Sequence, residues 1–217
     1  FVSRGDSTLR GHGFLEPEIL SEELGPFDAT FHVPAFFEGG RTTVNGVHLL
    51  NGAPVHMTNF ASDQFFGYST SYLPDWIEEK SHGKILAKKV VHLKLEQLNS
   101  ARKSLSGMED LIGFLKSLSG NLSVVVDAEV PSQLDVFAKA VIHLMGKKRF
   151  LFRSAASLIN SFAQLPENPY KPSDLASLRL TDKSLSLKKI GLIVVGSHVQ
   201  LADQQLETLL EDPSCEG

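Results

Sequence analysis

One short segment near the beginning of the chain holds most of the side chains that could bind a charged small molecule. Within residues 4–10 it places two arginines, one aspartate and two hydroxyl residues. They are Arg4, Asp6, Ser7, Thr8 and Arg10. An arginine guanidinium presents a planar set of donors that matches a carboxylate or a phosphate, and aspartate and hydroxyl groups can bond to the hydroxyls of a sugar. The segment therefore fits a small polyhydroxy acid.

Two other interpretations of the same segment follow from the sequence. On spacing alone, Asp6, Ser7 or Thr8 could cap the next helix while Arg4 remains an ordinary surface charge, and this fits as well as a binding role. Residues 4–6 also form the Arg-Gly-Asp tripeptide of adhesion ligands. Those ligands are secreted proteins that expose the tripeptide on a mobile loop, whereas this tripeptide directly follows a predicted strand. We therefore favour binding or capping over adhesion.

The elements that would position this segment alternate between strand and helix along the chain. Short apolar runs predict strands at 1–3, 28–33, 44–50, 85–93, 123–126, 149–152 and 190–195, and Asn51-Gly52 predicts a hairpin turn. Apolar residues at helical spacing predict helices within 12–24 and at 73–80, 107–118, 132–145, 154–165 and 201–211. Such alternation is typical of an α/β fold, with a largely parallel sheet flanked by helices. Ligands of such sheets bind at the carboxyl ends of the strands, where residues 4–10 lie.

The chain is expected to divide near residue 166. Residues 166–188 contain three prolines and many polar residues without periodicity, which predicts a linker. We expect one domain over residues 1–165 and the start of a second α/β domain over residues 189–217. The first residue is Phe1 inside a strand pattern, and the last follows a helical pattern, so we expect an internal piece of a longer protein.

Composition and charge exclude several classes of protein. The 217 residues contain 21 Lys and Arg against 25 Asp and Glu, a net charge of −4 with no basic block, which argues against a nucleic-acid binder. The longest apolar runs, 122–126 and 190–195, are too short to cross a bilayer. The single cysteine, Cys215, can form neither an internal disulfide nor a cysteine-based zinc site, which fits a reducing compartment. We expect a cytoplasmic protein that binds no nucleic acid and no membrane.

A second group of residues could add to a binding site, although each also fits as a cap, a turn residue or a surface charge. The turns at 153–157 and 196–198 both follow predicted strands, and a helix N-terminus in such a turn favours an anion. The sequence contains no dinucleotide-binding, P-loop, serine-hydrolase or zinc-binding motif. The candidates of this group are Arg41, Thr42, Thr43, Asp127, Ser154, Ser157, His12 and His198.

Several of these stretches, in the same order along the chain, resemble one enzyme family. The first is Ser-Arg-Gly-Asp-Ser-Thr-Leu-Arg-Gly-His at 3–12, which resembles the substrate loop of the four-carbon acid sugar kinases. These are ATP-dependent kinases of threonate, erythronate and related oxo-tetronates. The similarity continues through residues 33–36, 40–43, 45–47, 127–129, 152–157 and 194–199, with Gln205 after them. Each stretch alone is a weak signal, but the ordered set is specific.

The resemblance implies a kinase whose N-terminal domain, here 1–165, binds the acid sugar and whose C-terminal domain, beginning near 189, binds ATP with Mg²⁺. It implies that Arg4, Asp6, Ser7, Thr8 and Arg10 contact the substrate and that Gly196 and Ser197 lie near the nucleotide. The family's acidic N-terminal motif and its glycine-rich C-terminal motifs are not in this sequence. We therefore assign no catalytic residue and expect the 217 residues alone to be inactive.

Two functions outside the kinase class remain open from the sequence. A non-catalytic module of the same fold would bind the acid sugar without phosphoryl transfer. An interaction protein would instead use its Arg-Gly-Asp loop to bind a partner. For the kinase, the partners we expect are the small-molecule sugar acid and, as an open option, a second copy in a homodimer.

Overall fold

The computed structural model describes residues 1–165, 170–171, 173–174, 192–196 and 200–215. The chain forms two compact units, residues 1–166 and 167–217. The strands of the first unit are β1 (Val2–Arg4), β2 (Ala29–Val33), β3 (Arg41–Val44), β4 (Val47–Leu50), β5 (Ala53–Pro54), β6 (Val91–Leu93), β7 (Leu122–Val126) and β8 (Phe150–Ser154). Its α-helices are α1 (Leu15–Leu24), α2 (Leu73–Lys80), α3 (Leu95–Lys103), α4 (Leu105–Ser117), α5 (Pro131–His143) and α6 (Ala156–Ala163). The described part of the second unit contains α7 (Gln200–Leu210).

Five strands form a parallel sheet in the order β1-β8-β2-β7-β6. The predicted α/β fold with a parallel sheet flanked by helices is thereby confirmed. The central strands are apolar runs that bury both faces; all five residues of β2 are buried, for example. A run of that kind satisfies its backbone only between two neighbouring strands, which is why β2 lies between β8 and β7.

The two faces of the sheet differ in chemistry. One face packs against helices α3 to α6 around a cluster of aromatic rings, in which Phe31 lies 5.2 Å from Phe137 and 5.3 Å from Phe152. The opposite face carries buried polar residues of β2 and β7, including Thr30, His32 and Ser123. The same face also packs against a second hydrophobic cluster, which includes Val125, Leu73, Trp76 and Ile77.

A small antiparallel sheet, β3-β4-β5, is attached to the carboxyl edge of the main sheet. Asn45 and Gly46 form the turn between β3 and β4, with φ angles of 51° and 76° that glycine and asparagine tolerate best. The Asp127 carboxylate, at the end of β7, accepts hydrogen bonds from the Asn45 and Gly46 backbone N–H groups at 3.0 and 2.9 Å. His92 Nε2 lies 2.9 Å from the same carboxylate. Asp127 therefore anchors the hairpin to the sheet.

In the first unit, two expected strands differ from the structure and one helix was not predicted. The strand expected at 44–50 is a hairpin, because its Asn45-Gly46 pair turns the chain as Asn51-Gly52 does. Only Val91–Leu93 of the strand expected at 85–93 pairs with a neighbour. Helix α3 was not predicted, because only Leu98 and Ala101 of its nine residues are buried and its pattern is mostly polar. The remaining helices of the first unit agree in position with the prediction.

In the second unit, helix α7 agrees with the prediction and the preceding strand does not. Residues 192–195 of the strand expected at 190–195 form no strand, and Leu192 and Val194 are 89% and 82% exposed. A strand exists only where a neighbour pairs with its backbone, and none of the described residues pairs with these. The linker expected at 166–188 lies largely outside the described residues. No helix within the described ranges is both long and apolar enough to cross a membrane.

Candidate functional site

The loops that follow β1 and β8 meet at the carboxyl edge of the parallel sheet. The two strands are neighbours, with Ser3 opposite Arg153 and Arg4 opposite Ser154. The Gly5 backbone N–H donates to the Ser154 carbonyl at 2.7 Å, which continues the pairing one residue beyond the strand. Parallel strands bring their carboxyl ends to one edge, and so the predicted substrate loop and the turn at 153–157 form one site.

A cleft of about 410 Å³ lies between these two loops. Four of the five residues predicted to contact substrate line it, namely Arg4, Asp6, Ser7 and Arg10. The other charged or titratable residues of its wall are His12, Glu16 and Arg153. Thr8 does not line this cleft, because its side chain turns inward and is only 3% exposed. The structure thus brings most of the predicted residues together around one space.

Asp6 organises the loop from within. Its carboxylate accepts hydrogen bonds from the Thr8 backbone N–H at 2.9 Å, the Thr8 hydroxyl at 2.6 Å and Arg10 Nε at 2.9 Å. Burial raises the pKa of the Asp6 carboxyl, but the hydrogen bonds from Thr8 and the charge of Arg10 outweigh it, so the pKa lies below its ordinary value. Asp6 is therefore an ionised acceptor that fixes the loop.

Arg10 extends across the loop toward a second segment of the chain. Its Nη1 lies 3.5 Å from an Asp63 carboxylate oxygen, and its guanidinium lies 5.1 Å from the centre of the Phe60 ring. The guanidinium of Arg41 lies 5.8 Å from the same ring. A cation attracts the face of an aromatic ring, so Phe60 draws both arginines to one side of the site.

Two buried side chains hold the carbonyl groups of the loop. His48 Nε2 lies 2.7 Å from the Ser7 carbonyl oxygen, and Tyr68 donates its hydroxyl to the Thr8 carbonyl at 2.6 Å. A carbonyl only accepts, so His48 carries its proton on Nε2, and its Nδ1 accepts from the Thr43 hydroxyl at 3.0 Å. Burial lowers the pKa of His48 to about 4, which keeps the ring neutral at pH 7. The His48 contact fixes the loop to the β3-β4 hairpin, and Tyr68 holds it from the segment before α2.

Arg153 reaches the same cleft from the end of β8. Its Nη1 donates to the Ser3 hydroxyl at 2.7 Å and to Glu16 at 2.6 Å, so it joins β1, β8 and α1. Its side chain is only 10% exposed. The cleft therefore contains one nearly buried arginine and the more accessible Arg4 and Arg10.

The remaining candidates have mainly structural contacts. Ser157 accepts from the Phe37 backbone N–H at 3.2 Å and approaches Glu38. The Ser154 side chain is buried at 2% exposure and lies beneath the loop. His12 is at the surface, with its ring 5.2 Å from that of Phe66 in an edge-to-face contact. Asp127 and Thr43 are used by the hairpin, as described for the fold.

Of the two residues expected near the nucleotide, Gly196 is among the described residues and Ser197 is not. Gly196 is exposed, and no atom within 4 Å would meet a Cβ added there. Ser197 and His198 lie outside the described residues. Within the part of the chain that is described, no group of three or more His, Cys, Asp or Glu side chains is arranged to hold a metal ion.

Sequence reasoning missed several residues that shape the site, namely Arg153, His48, Tyr68, Phe60 and Asp63. Arg153 stands in a turn that the sequence does single out, and its pairing with Ser3 follows once β1 and β8 are known to be neighbours. His48 and Tyr68 lie 41 and 60 residues from their partners in the loop, and no spacing rule connects them.

The sequence of the chain is similar to those of known proteins. Residues 1–162 match the family described as "Sugar-binding N-terminal domain". A D-erythronate kinase of Heliobacterium modesticaldum is 26% identical over 209 residues, which cover 96% of this chain and 42% of that protein. The chain thus spans less than half the length of this curated relative.

Solved structures show the same fold at lower sequence identity. A Haemophilus influenzae protein is 20% identical with a TM-score of 0.55, over 75% of this chain and 37% of that one. A domain of unknown function from Bordetella bronchiseptica, solved as a domain-swapped dimer with bound citrate, is 22% identical with a TM-score of 0.57. That match covers 75% of this chain and 35% of the other.

Proposed function

The chain belongs to the family of sugar-binding N-terminal domains of four-carbon acid sugar kinases, and we propose on that basis that it binds a four-carbon sugar acid for phosphorylation by ATP. The substrates proposed are threonate, erythronate or an oxo-tetronate, with a hydroxyl group as the acceptor. One observation supports this most directly: four of the five residues expected to contact substrate line a single cleft at the carboxyl edge of the sheet.

The cleft matches the two chemical features of such a substrate. Arg4, Arg10 and Arg153 outnumber Asp6 and Glu16 in its wall, which leaves it with one net positive charge to attract an acid. Ser7 and the outer side of Asp6 offer oxygen atoms to the hydroxyls of the substrate. For Thr8 we propose a shaping role, since its hydroxyl is already donated to Asp6.

Phosphoryl transfer depends mainly on positioning and on neutralising charge, and the cleft supplies both for the acceptor. In this proposal the arginines hold the acid group and thereby orient a hydroxyl toward the incoming phosphate. Asp6 is occupied by three hydrogen bonds with donors of its own loop, so we do not propose it as the catalytic base. The catalytic residue is left unassigned.

The nucleotide half of the proposal rests on the relation to the kinase. We propose that residues 189–217 begin a nucleotide-binding domain after a linker at 166–188, with Gly196 and Ser197 near ATP. The proposed Mg²⁺ would be held partly by the ATP phosphates. A cytoplasmic location and a homodimer are further proposals; light scattering after gel filtration tests the dimer.

The function is tested by a coupled ADP-release assay on the protein in its full length, with threonate, erythronate and their oxo forms as acceptors. We expect ADP release with at least one of these acids. Arg10→Ala is expected to weaken binding of that acid by about 1.5–3 kcal/mol, the range for a hydrogen bond to a charged group. Arg102→Gln is a suitable control, because Arg102 is exposed on α3 outside the cleft.

The same assay separates the kinase from a non-catalytic binding module. Calorimetric binding of a four-carbon acid without ADP release by the full-length protein would favour the module. Absence of both binding and ADP release would contradict the proposal. Unchanged affinity in Arg10→Ala would contradict the role given to the loop.

A further inference from the structure

We propose that Arg153 binds the carboxylate of the sugar acid, an assignment that presupposes the proposed function. Arg153 lies at the carboxyl end of β8, between β1 and β2 in the sheet, with Ser3 and His32 as its cross-strand neighbours. It lines the cleft and also the smaller space beneath the loop. The Arg153 side chain therefore forms the inner wall of the cleft, where the acid group of a bound substrate would lie.

The guanidinium is held in place on one edge and free on the other. Nη1 donates to Ser3 and Glu16, which uses both of its hydrogens. Within the described residues, neither Nε nor Nη2 of Arg153 donates a hydrogen bond to the protein. Nε and Nη2 are the pair of donors that can bind a carboxylate with two parallel hydrogen bonds. Because the side chain is only 10% exposed and already fixed, binding orders little that was mobile before.

Two glycines of the loop lie close to this guanidinium. A Cβ added to Gly5 would lie 2.7 Å from Arg153 Nε, 2.8 Å from Cζ and 3.1 Å from Nη2, which places it over the face of the guanidinium. A Cβ added to Gly11 would lie 3.9 Å from Nη2. The loop backbone thus passes across the face of the guanidinium and leaves its Nε and Nη2 edge open, and a side chain at position 5 would push the guanidinium out of its position. We infer that glycine at position 5 preserves the placement of this arginine.

The other two arginines of the cleft are less suited to anchor the acid. Arg10 donates Nε to Asp6 and Thr8 and faces Asp63 with Nη1, so two carboxylates already share its charge. Arg4 is exposed, and would lose more side-chain freedom on binding. Among the described residues, Glu16 is the single carboxylate that forms an ion pair with Arg153. Glu16 is 46% exposed, so water can solvate it when an acid binds to Arg153.

The test compares binding of D-erythronate, measured by calorimetry on the full-length protein, among matched variants. Arg153→Gln removes the charge and the two free donors, and we expect it to weaken D-erythronate binding about 10- to 100-fold. Arg153→Lys keeps the charge but not the planar pair of donors, and we expect it to be weakened as well. Arg102→Gln removes an exposed arginine outside the cleft and is expected to bind as the wild type does.

Gly5→Ala provides an independent variant that leaves every charge in place. Its added methyl displaces the Arg153 guanidinium, the flexible end of a side chain, so we expect a folded protein with weaker D-erythronate binding. This variant decides the matter if thermal unfolding shows that Arg153→Gln is not folded. Erythritol, which has the same carbon chain without the acid group, is expected to bind Arg153→Gln and wild type alike.

The outcomes separate this assignment from the function on which it rests. If the wild type binds none of the four-carbon acids, the proposed function fails and the assignment fails with it. If the wild type binds D-erythronate and folded Arg153→Gln or Gly5→Ala binds it equally well, only the assignment to Arg153 is overturned. Selective loss of the acid in both variants supports it.

Discussion

Hydrogen bonds to the Asp6 carboxylate hold the loop at residues 6–10 in one conformation. Its folded pKa is lower than the ordinary value of 3.8, because the donors of Thr8 and Arg10 outweigh the effect of burial. The folded state therefore binds the proton less readily than the unfolded chain. The stabilisation by this network is fully present above about pH 4 and is lost as the pH falls through the folded pKa. Near neutral pH the network is constant.

Two buried histidines make stability depend on pH in a higher range. Burial lowers the pKa of His32 and of His48 to about 4 in the folded protein, against an ordinary value of 6.5. Between these values the unfolded chain binds more protons than the folded one, so stability falls as the pH falls below 6.5. We expect the free energy of unfolding to drop by about 2 kcal/mol from pH 7.0 to pH 5.5, measured by urea denaturation.

His143, exposed near the end of α5, provides the control for this prediction. His143→Asn should leave the drop unchanged, because His143 is exposed and its substitution removes neither of the two buried rings. His48→Asn should reduce the drop, since one buried ring is removed. A free energy of unfolding that stays constant between pH 7.0 and pH 5.5 would show that the two rings are not held neutral in the folded protein.

At the scale of elements, the β3-β4 hairpin connects the loop at residues 4–10 to the main sheet. Its Thr43–His48 cross-strand pair points at the Ser7 carbonyl, and its turn is held by Asp127 at the end of β7. The hairpin also exchanges two backbone hydrogen bonds of 2.9 Å between Thr43 and Ala128. The hairpin thus positions the loop, although no residue of the hairpin lines the cleft.

Asp127→Ala tests the attachment of the hairpin. The substitution leaves the Asn45 and Gly46 backbone N–H groups without their acceptor, and Gly46 is buried. We expect a loss of about 3 kcal/mol in the free energy of unfolding, measured by urea denaturation, because unsatisfied buried donors are costly. Asp127→Asn keeps the shape and one acceptor and should cost less. Equal stability of Asp127→Ala and wild type would mean that the hairpin is held by other contacts.

The fold could be predicted from the sequence wherever the residues of a single strand or helix show its hydrophobic pattern by themselves. The apolar runs of β2 and β7 and the helical spacing of α4 and α5 are local signals, and they gave the α/β class. Helix α3 has few buried residues and gave no such signal. Residues 192–195 of the strand expected at 190–195 show the opposite case, because an apolar run forms a strand only when a neighbour pairs with it, and none of the described residues pairs with these four.

The candidate site was predictable in part, for a related reason. The residues from Arg4 to Arg10 are close in sequence, so their density could be seen without a structure. Arg153 stands about 150 residues from its partner Ser3, and the sheet order alone brings them together. Sequence spacing also could not show that the Thr8 hydroxyl turns inward to Asp6, since that depends on the path of the loop.

At the scale of the whole molecule, the first unit contains every part of the cleft. The loop after β1, the turn after β8 and the supporting hairpin all lie within residues 1–165. The family match covers the same region, residues 1–162, whereas the kinase relative is more than twice as long as the aligned chain. We therefore expect that the first unit is sufficient to bind the acid. Transfer of the phosphate is expected to require the longer protein.

This expectation can be tested by comparing the 217-residue chain with the full-length protein. We expect the 217 residues to bind a four-carbon acid, because the cleft is built entirely from the first unit, and to release no ADP when ATP and Mg²⁺ are added. Calorimetry measures the first property and the coupled assay the second. Arg10→Ala should weaken binding in both proteins by a similar factor, since the same loop is present in each. Turnover by the 217 residues alone would contradict this separation of acid binding from phosphate transfer. It would place the nucleotide site within this chain.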